Sequence, residues 1–302
     1  MVIATDGSCA RNGERNARAG AGIFFGENHA LNTSVRIPTC LEQSNQTGEA
    51  VAALIATTKA PSRTRITQIT DSKTTMDSLS RWRQRHEDTG YILQNNATIT
   101  KTNLARLRMR RAHTLFKWVK GHSGHPGNEA ADRLAAEGAE RQTGDHLDMG
   151  VPARFMVTGA KLHAMTQKLA YRAIRLRLDA KTPPRPRAMA NMDRISCGIE
   201  ATFGVQLHDA SIWRSFRSRH VSRQAAQFYW MATHDGYMLG THWLRPNMSD
   251  ELQRRASCAI CGELETMSHI IFECDALGQE IIWNLLETTW KLTGNDWKSP
   301  NW

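Results

Sequence analysis

The sequence predicts an α/β domain on a mixed sheet, followed by a mainly α-helical region that ends in a small zinc knuckle. Three observations carry this. Short β-rich runs alternate with helical patterns over residues 1–140. Beyond about residue 150 the apolar residues recur at helical spacing. Near the C-terminus, three cysteines and a histidine fall at metal-ligand spacing. At 302 residues the chain is about two domains' worth. The expected division is 1–143, a basic helical linker region over 144–224 and a helical knuckle domain over 225–302, with the join near residues 144–152.

Residues 2–5 and 22–25 read as strands flanking a Gly- and Arg-rich turn, and residues 32–37 alternate like a third strand, which together suit a meander. GEAVAALIAT, residues 48–57, is Ala- and Leu-rich and reads as a buried helix. Pro61 and a strand at 65–70 follow, a β-α-β crossover. Residues 72–85 and 96–111 read as helices, the second rich in arginine, and TLFKWV at 114–119 as a strand. The loop KGHSGHPG, 120–127, opens into a helix over 128–140. Residues 158–179 have the pattern of a basic amphipathic helix, which TPPRPR at 182–187 must end because proline removes donors and biases its neighbours to extended backbone. Helices resume over 189–203, 210–217 and 222–233.

No apolar run approaches the roughly 20 residues that span a bilayer, and the N-terminus carries no basic segment ahead of an apolar stretch. Six sparse cysteines suit a reducing compartment, so the expected residence is intracellular, nuclear or cytoplasmic. Lys plus Arg exceed Asp plus Glu by 39 to 29, a net +10, which favours a polyanionic partner.

Asp6 closes the first strand and Asp71 follows the strand 65–70, while Glu49 and Asp132 sit in the early turns of two helices. Four hard oxygen donors converging on one sheet edge suit Mg²⁺, and two such ions clamp the attacking water and leaving oxygen of an in-line phosphoryl displacement. TDGS at 5–8, SNQTGE at 44–49, TDSK at 70–73 and WVKGHSGHPGNEAAD at 118–132 resemble, in order and spacing, the motifs of type 1 ribonuclease H. The resemblance implies a five-stranded mixed sheet with flanking helices and cleavage of the RNA strand of RNA:DNA hybrids with two Mg²⁺ ions, for which Mn²⁺ can substitute. It places Asp6, Glu49, Asp71 and Asp132 as metal ligands and His122 on a mobile loop that aids proton transfer or product release. Asn12, Asn45 and Gln46 match residues facing the hybrid's minor groove, and Ser44 one that touches a phosphate. His125 reads as structural, holding the loop's register. Arg81, Trp82, Arg83, Arg85, Arg106, Arg108, Arg110 and Arg111 resemble in position a basic protrusion that grips the DNA strand.

The turn CARNGERNARAGAG, 9–22, is longer and more Arg-rich than in cellular members and looks more like the domains of non-LTR retrotransposons. Cys258, Cys261, His269 and Cys274 supply a full tetrahedral shell for structural Zn²⁺. Their block resembles the zinc-binding domain that follows reverse transcriptase or ribonuclease H regions in those elements. The chain thus reads as the tail of a longer ancestral polyprotein, with any reverse transcriptase acting in trans. The rival readings are a catalytically silent hybrid- or RNA-binding relic, and another nuclease or strand-transfer enzyme on the same fold. Trp283 and Trp290 are expected in helical packing, and Trp297 and Trp302 in a frayed end.

Overall fold

A computed structural model describes residues 1–274 and 278–298; Trp302 lies outside them. The chain divides into two compact units, Met1–Pro183 and Pro184–Trp302.

The first unit is built on a five-stranded sheet in the order β3-β2-β1-β4-β5. β1 (Val2–Ala10), β2 (Arg18–Phe24) and β3 (Thr33–Arg36) form an antiparallel meander. β4 (Ile66–Thr70) and β5 (Thr114–Trp118) extend it in parallel, so each is reached by a helical crossover. The helices are α1 (Asn45–Lys59), α2 (Lys73–Leu79), α3 (Arg83–Asp88), α4 (Ala97–Met109), α5 (Pro126–Glu140) and α6 (Gln167–Asp179). Ile3, Ile23, Ile37, Val51, Ile66 and Ile99 make one fully buried cluster between the sheet, α1 and α4.

Two close approaches fix where the helices stand. A methyl on Gly7 would lie 2.2 Å from the Glu49 amide, and one on Gly22 would lie 1.9 Å from the Ala131 carbonyl. Gly7 pairs with Ala21 and Asp6 with Gly22. Side chains alternate across a strand, so α1 and α5 press on opposite faces of the same stretch of sheet.

Four sequence expectations change. β1 does not close at Asp6 but runs on to Ala10, because residues 7–10 keep their antiparallel pairing with β2. Pairing of β1 with β4 spans only Val2 to Ala4, so Asp6 still stands just past the end of the parallel ladder. The helix expected over 72–85 is two, parted where the Ser80 hydroxyl turns back onto the Met76 carbonyl. The join expected at 144–152 lies against the first unit: Asp145 accepts from the Arg36 amide at 2.8 Å, and Leu147 and Met149 pack on the core. α6 begins only at Gln167, where the Thr166 side chain caps the Leu169 amide.

The second unit holds α7 (Pro186–Phe203), α8 (Asp209–Ser215), α9 (Arg223–Thr233), α10 (Asp250–Gln253) and α11 (Gln279–Lys291), with a π-helical turn at His269–Glu273. Trp297 is not frayed. Its ring lies 6.5 Å from that of Trp283 and 6.4 Å from that of Trp290.

Candidate active site and candidate metal centre

Asp6 on β1, Glu49 on α1 and Asp71 after β4 bring carboxylate oxygens within 4.8 Å of one another. The local sequence explains each placement. Gly7 and Gly48 let α1 reach the strand, which carries Glu49 to Asp6. Asp71 is held from behind, where Trp118 Nε1 donates to its carbonyl at 2.9 Å.

Asp6 and Glu49 are buried. Burial, followed by the Asp71 and Asp132 charges, raises Asp6 from 3.8 to about 6. Burial, then the Asp6 charge and a side-chain hydrogen bond shared with Asp6, push Glu49 well above the carboxylate range. Thr70 Oγ1 also donates to Glu49 Oε2, at 3.5 Å. Asp132 stands outside the three-carboxylate cluster, partly exposed on α5, yet close enough for its charge to act on Asp6.

The sequence reading gave Asn128 no role. Its side-chain amide donates to Asp6 Oδ2 and Asp71 Oδ2, both at 3.4 Å, and it is buried. Asn128 lies four residues before Asp132, so the two share a face of α5. That spacing in GNEAAD was the available signal.

His122 is exposed on the loop before α5, with a left-handed φ of 49°. A methyl on Gly121 would lie 2.5 Å from Asp71 Oδ2, so the loop backbone passes directly over that carboxylate. His125 caps α5, Nδ1 accepting from the Asn128 amide at 3.3 Å, which is how it holds the loop's register.

The residues expected to touch substrate divide. Asn12 is exposed in the turn between β1 and β2, and Asn45 is exposed at the start of α1. Gln46 donates to Thr75 Oγ1 at 2.8 Å. Ser44 is the N-cap of α1, accepting from the Thr47 amide, a task that occupies its hydroxyl. Of the arginines expected to grip the DNA strand, three are engaged within the fold. Arg106 pairs with Asp148 and Arg108 with Glu87. Arg110 donates to the carbonyl of Thr57 in the last turn of α1 and to those of Ala60, Pro61 and Thr64 beyond it. Arg81, Arg83, Arg85 and Arg111 are exposed.

In the second unit Cys258, Cys261, His269 and Cys274 gather their ligand atoms within 4.8 Å. Cys258 Sγ lies 3.7 Å from Cys274 Sγ, and Cys261 Sγ lies 3.3 Å from His269 Nε2. Tetrahedral zinc with Zn–S near 2.3 Å requires S···S edges of about 3.8 Å. A disulfide would need about 2.05 Å. Hydrogen bonds from the Cys261 amide, from His269 and from the Ile260 amide lower the Cys258 thiol from 9.0 to about 6.

A meander continued by two parallel strands, with flanking helices and buried acids at the central strand, defines the ribonuclease H-like class of folds. A family model for RNase H matches residues 1–140. Ribonuclease H1 of Rattus norvegicus is 36% identical over 149 residues, covering 48% of this chain and 52% of that protein. Ribonuclease H of Zymomonas mobilis is 32% identical over 142 residues, covering 46% of this chain and 88% of that protein. A crystal structure of a type 1 RNase H with the type 2 active-site motif aligns over 57% of this chain and 84% of its own, at 23% identity and a TM-score of 0.38. The chain belongs to the ribonuclease H family. It spans about half the length of the mammalian relatives it matches.

Proposed function

We propose that residues 1–140 hydrolyse the RNA strand of RNA:DNA hybrids. The observation that carries this reading is the cluster of Asp6, Glu49 and Asp71, two of them buried with raised pKa values. Three acids so placed repel one another unless protons or cations stand between them. At neutral pH divalent metal fits them better than protons do, since oxygen donors of this kind suit Mg²⁺ or Mn²⁺. Asn128 Oδ1, buried and without a partner, leaves room for a further donor such as a metal-bound water.

In this reading Asp6, Glu49, Asp71 and Asp132 hold two Mg²⁺ ions. Bound there, such ions would lower the pKa of a water and offset negative charge on the leaving oxygen. The residues of the chain do the rest. Asn128 fixes the Asp6 and Asp71 carboxylates in one orientation, and the rigid β1–α1 contact at Gly7 sets their distance to Glu49. His122, exposed on a Gly-flanked loop, would exchange a proton between solvent and the scissile phosphate. Asn12, Asn45 and Gln46 line the approach as short polar groups that read 2′-hydroxyls without reading sequence.

The second unit is read as a structural zinc centre on Cys258, Cys261, His269 and Cys274, closed to catalysis because all four positions belong to the protein. The zinc block and the Arg-rich turn of residues 9–22 support a retroelement origin, with a reverse transcriptase as partner in trans. The free thiols suit an intracellular residence, nuclear or cytoplasmic.

The test is cleavage of a labelled RNA:DNA hybrid in Mg²⁺ and in EDTA, with duplex and single-stranded RNA as controls. Cutting confined to the RNA of the hybrid and stopped by EDTA is expected, with Asp71→Asn abolishing turnover while hybrid binding persists. Near-wild-type turnover in that variant would remove the two-metal assignment. Salt-sensitive hybrid binding with no cleavage would make the chain the silent binding module.

A further inference from the structure

α8 and α9 of the second unit enclose a groove of about 970 Å³, and its lining combines two chemistries. One is aromatic. The Trp230 and His234 rings stack at 4.3 Å, His234 lies 5.2 Å from Trp213, and Trp213 meets Phe216 edge to face at 5.5 Å. The run is held in place from within, since a His234 ring nitrogen bonds the Trp230 carbonyl at 2.8 Å. The run is not closed off, since Trp230 keeps 46% of its surface exposed.

The other chemistry is cationic. Arg214 and Arg217 line the same groove. Arg219 follows in the connection to α9 and Arg223 opens that helix, against a single acid, Asp209, over residues 208–223. Arg214 turns Nε onto the Ala210 carbonyl at 3.0 Å and a terminal nitrogen onto Ser211 Oγ at 3.2 Å. Both are neutral acceptors on its own helix, so its positive charge is not cancelled. No ion pair among the described residues includes these four arginines.

We propose that this groove binds single-stranded nucleic acid, with Trp213 and Trp230, braced by the His234 ring between them, stacking unpaired bases and Arg214 and Arg217 holding the phosphates. Aromatic faces between uncompensated arginines are the combination that grips a strand whatever its sequence. A duplex presents phosphates but no free base faces, so the aromatic half of the groove selects the unpaired strand. The inference stands apart from the carboxylate site and from the zinc centre, and involves none of their residues.

The test uses the full chain and a fluorescein-labelled oligothymidylate of about 20 nucleotides, which is not a ribonuclease substrate, followed by anisotropy across a salt series. Trp230→Ala is expected to weaken binding about tenfold, and Trp230→Phe to retain most of it, because the stacking face survives. Arg217→Ala is expected to lower the slope of log affinity against log salt by about 0.7, the value for one phosphate on a single strand. Hybrid cleavage by Trp230→Ala should match the wild type. Unchanged affinity in Trp230→Ala overturns the inference, as does displacement of the strand by an oligoglutamate peptide of equal charge, which would make the groove a site for acidic protein segments. Loss of hybrid cleavage in Asp71→Asn but not in Trp230→Ala separates the fate of this site from that of the nuclease reading.

Discussion

At the residue scale, the carboxylate cluster works against the stability of the protein that contains it. Asp6 holds its proton up to about pH 6 in the folded chain, against 3.8 when unperturbed. Its contribution to stability is therefore full below pH 3.8 and lost as pH rises through 6, and Glu49 acts in the same direction. In EDTA the first unit's unfolding midpoint should fall between pH 4 and pH 7. Glu49→Gln should flatten that fall, raise the midpoint at pH 7.5 by about 2–4 °C for each kcal/mol relieved, and remove cleavage. Mg²⁺ should stabilise the wild type more than the variant. A Glu49→Gln midpoint below that of the wild type at pH 7.5 would show that the pair is not strained. The carboxylates themselves were legible because motif order and strand ends pointed to them. Asn128 was not, because an asparagine beside a helix start has an ordinary capping use, and only the fold shows that its amide reaches two acids, one on β1 and one just past β4.

At the scale of elements, the active edge exists because α1 and α5 approach the sheet more closely than any side chain would allow. The Gly22→Ala methyl would meet the Ala131 carbonyl at 1.9 Å, so α5 must retreat and take Asn128 and Asp132 with it. Overpacking of this kind costs about 1–3 kcal/mol. Calorimetry should show the lower midpoint, and cleavage at a temperature where the variant is still folded should fall by a larger factor than the folded fraction. Wild-type values for both would place the geometry of the edge elsewhere. The pattern of the sequence gave the order of strands and helices well, since five β-rich runs and the Ala-rich helices have distinct periods. Two features escaped it. A Gly-Ser step after Asp6 reads as a turn, yet β2 pairs with it and carries β1 on to Ala10. Residues 144–152 read as the join because their few apolar side chains are isolated, but Leu147 and Met149 each find a place on a core already formed.

At the scale of the whole molecule, the two units differ in what holds them together. The clusters of buried apolar residues all lie in the first unit. In the second, the buried apolar side chains among the described residues are few, Met192, Ile212, Ala232, Ala256, Cys258 and Cys274, while Ile281, Ile282 and Leu285 on α11 are more than 60% exposed. A unit with so thin a core depends on a further crosslink, and three of its buried groups, Cys258, His269 and Cys274, are themselves zinc-ligand candidates. Metal binding there is then folding free energy. Metal analysis should find about one zinc per chain, and Cys261→Ser should release it. Calorimetry of the wild type should resolve two transitions, of which a zinc chelator abolishes or lowers one while leaving the other in place. Because the carboxylate cluster and the core beneath it belong to the first unit, hybrid cleavage in Mg²⁺ should persist in Cys261→Ser. Simultaneous loss of both transitions would mean that the units fold as one, and an unchanged thermogram with no bound zinc would leave the four ligands as packed thiols and a histidine.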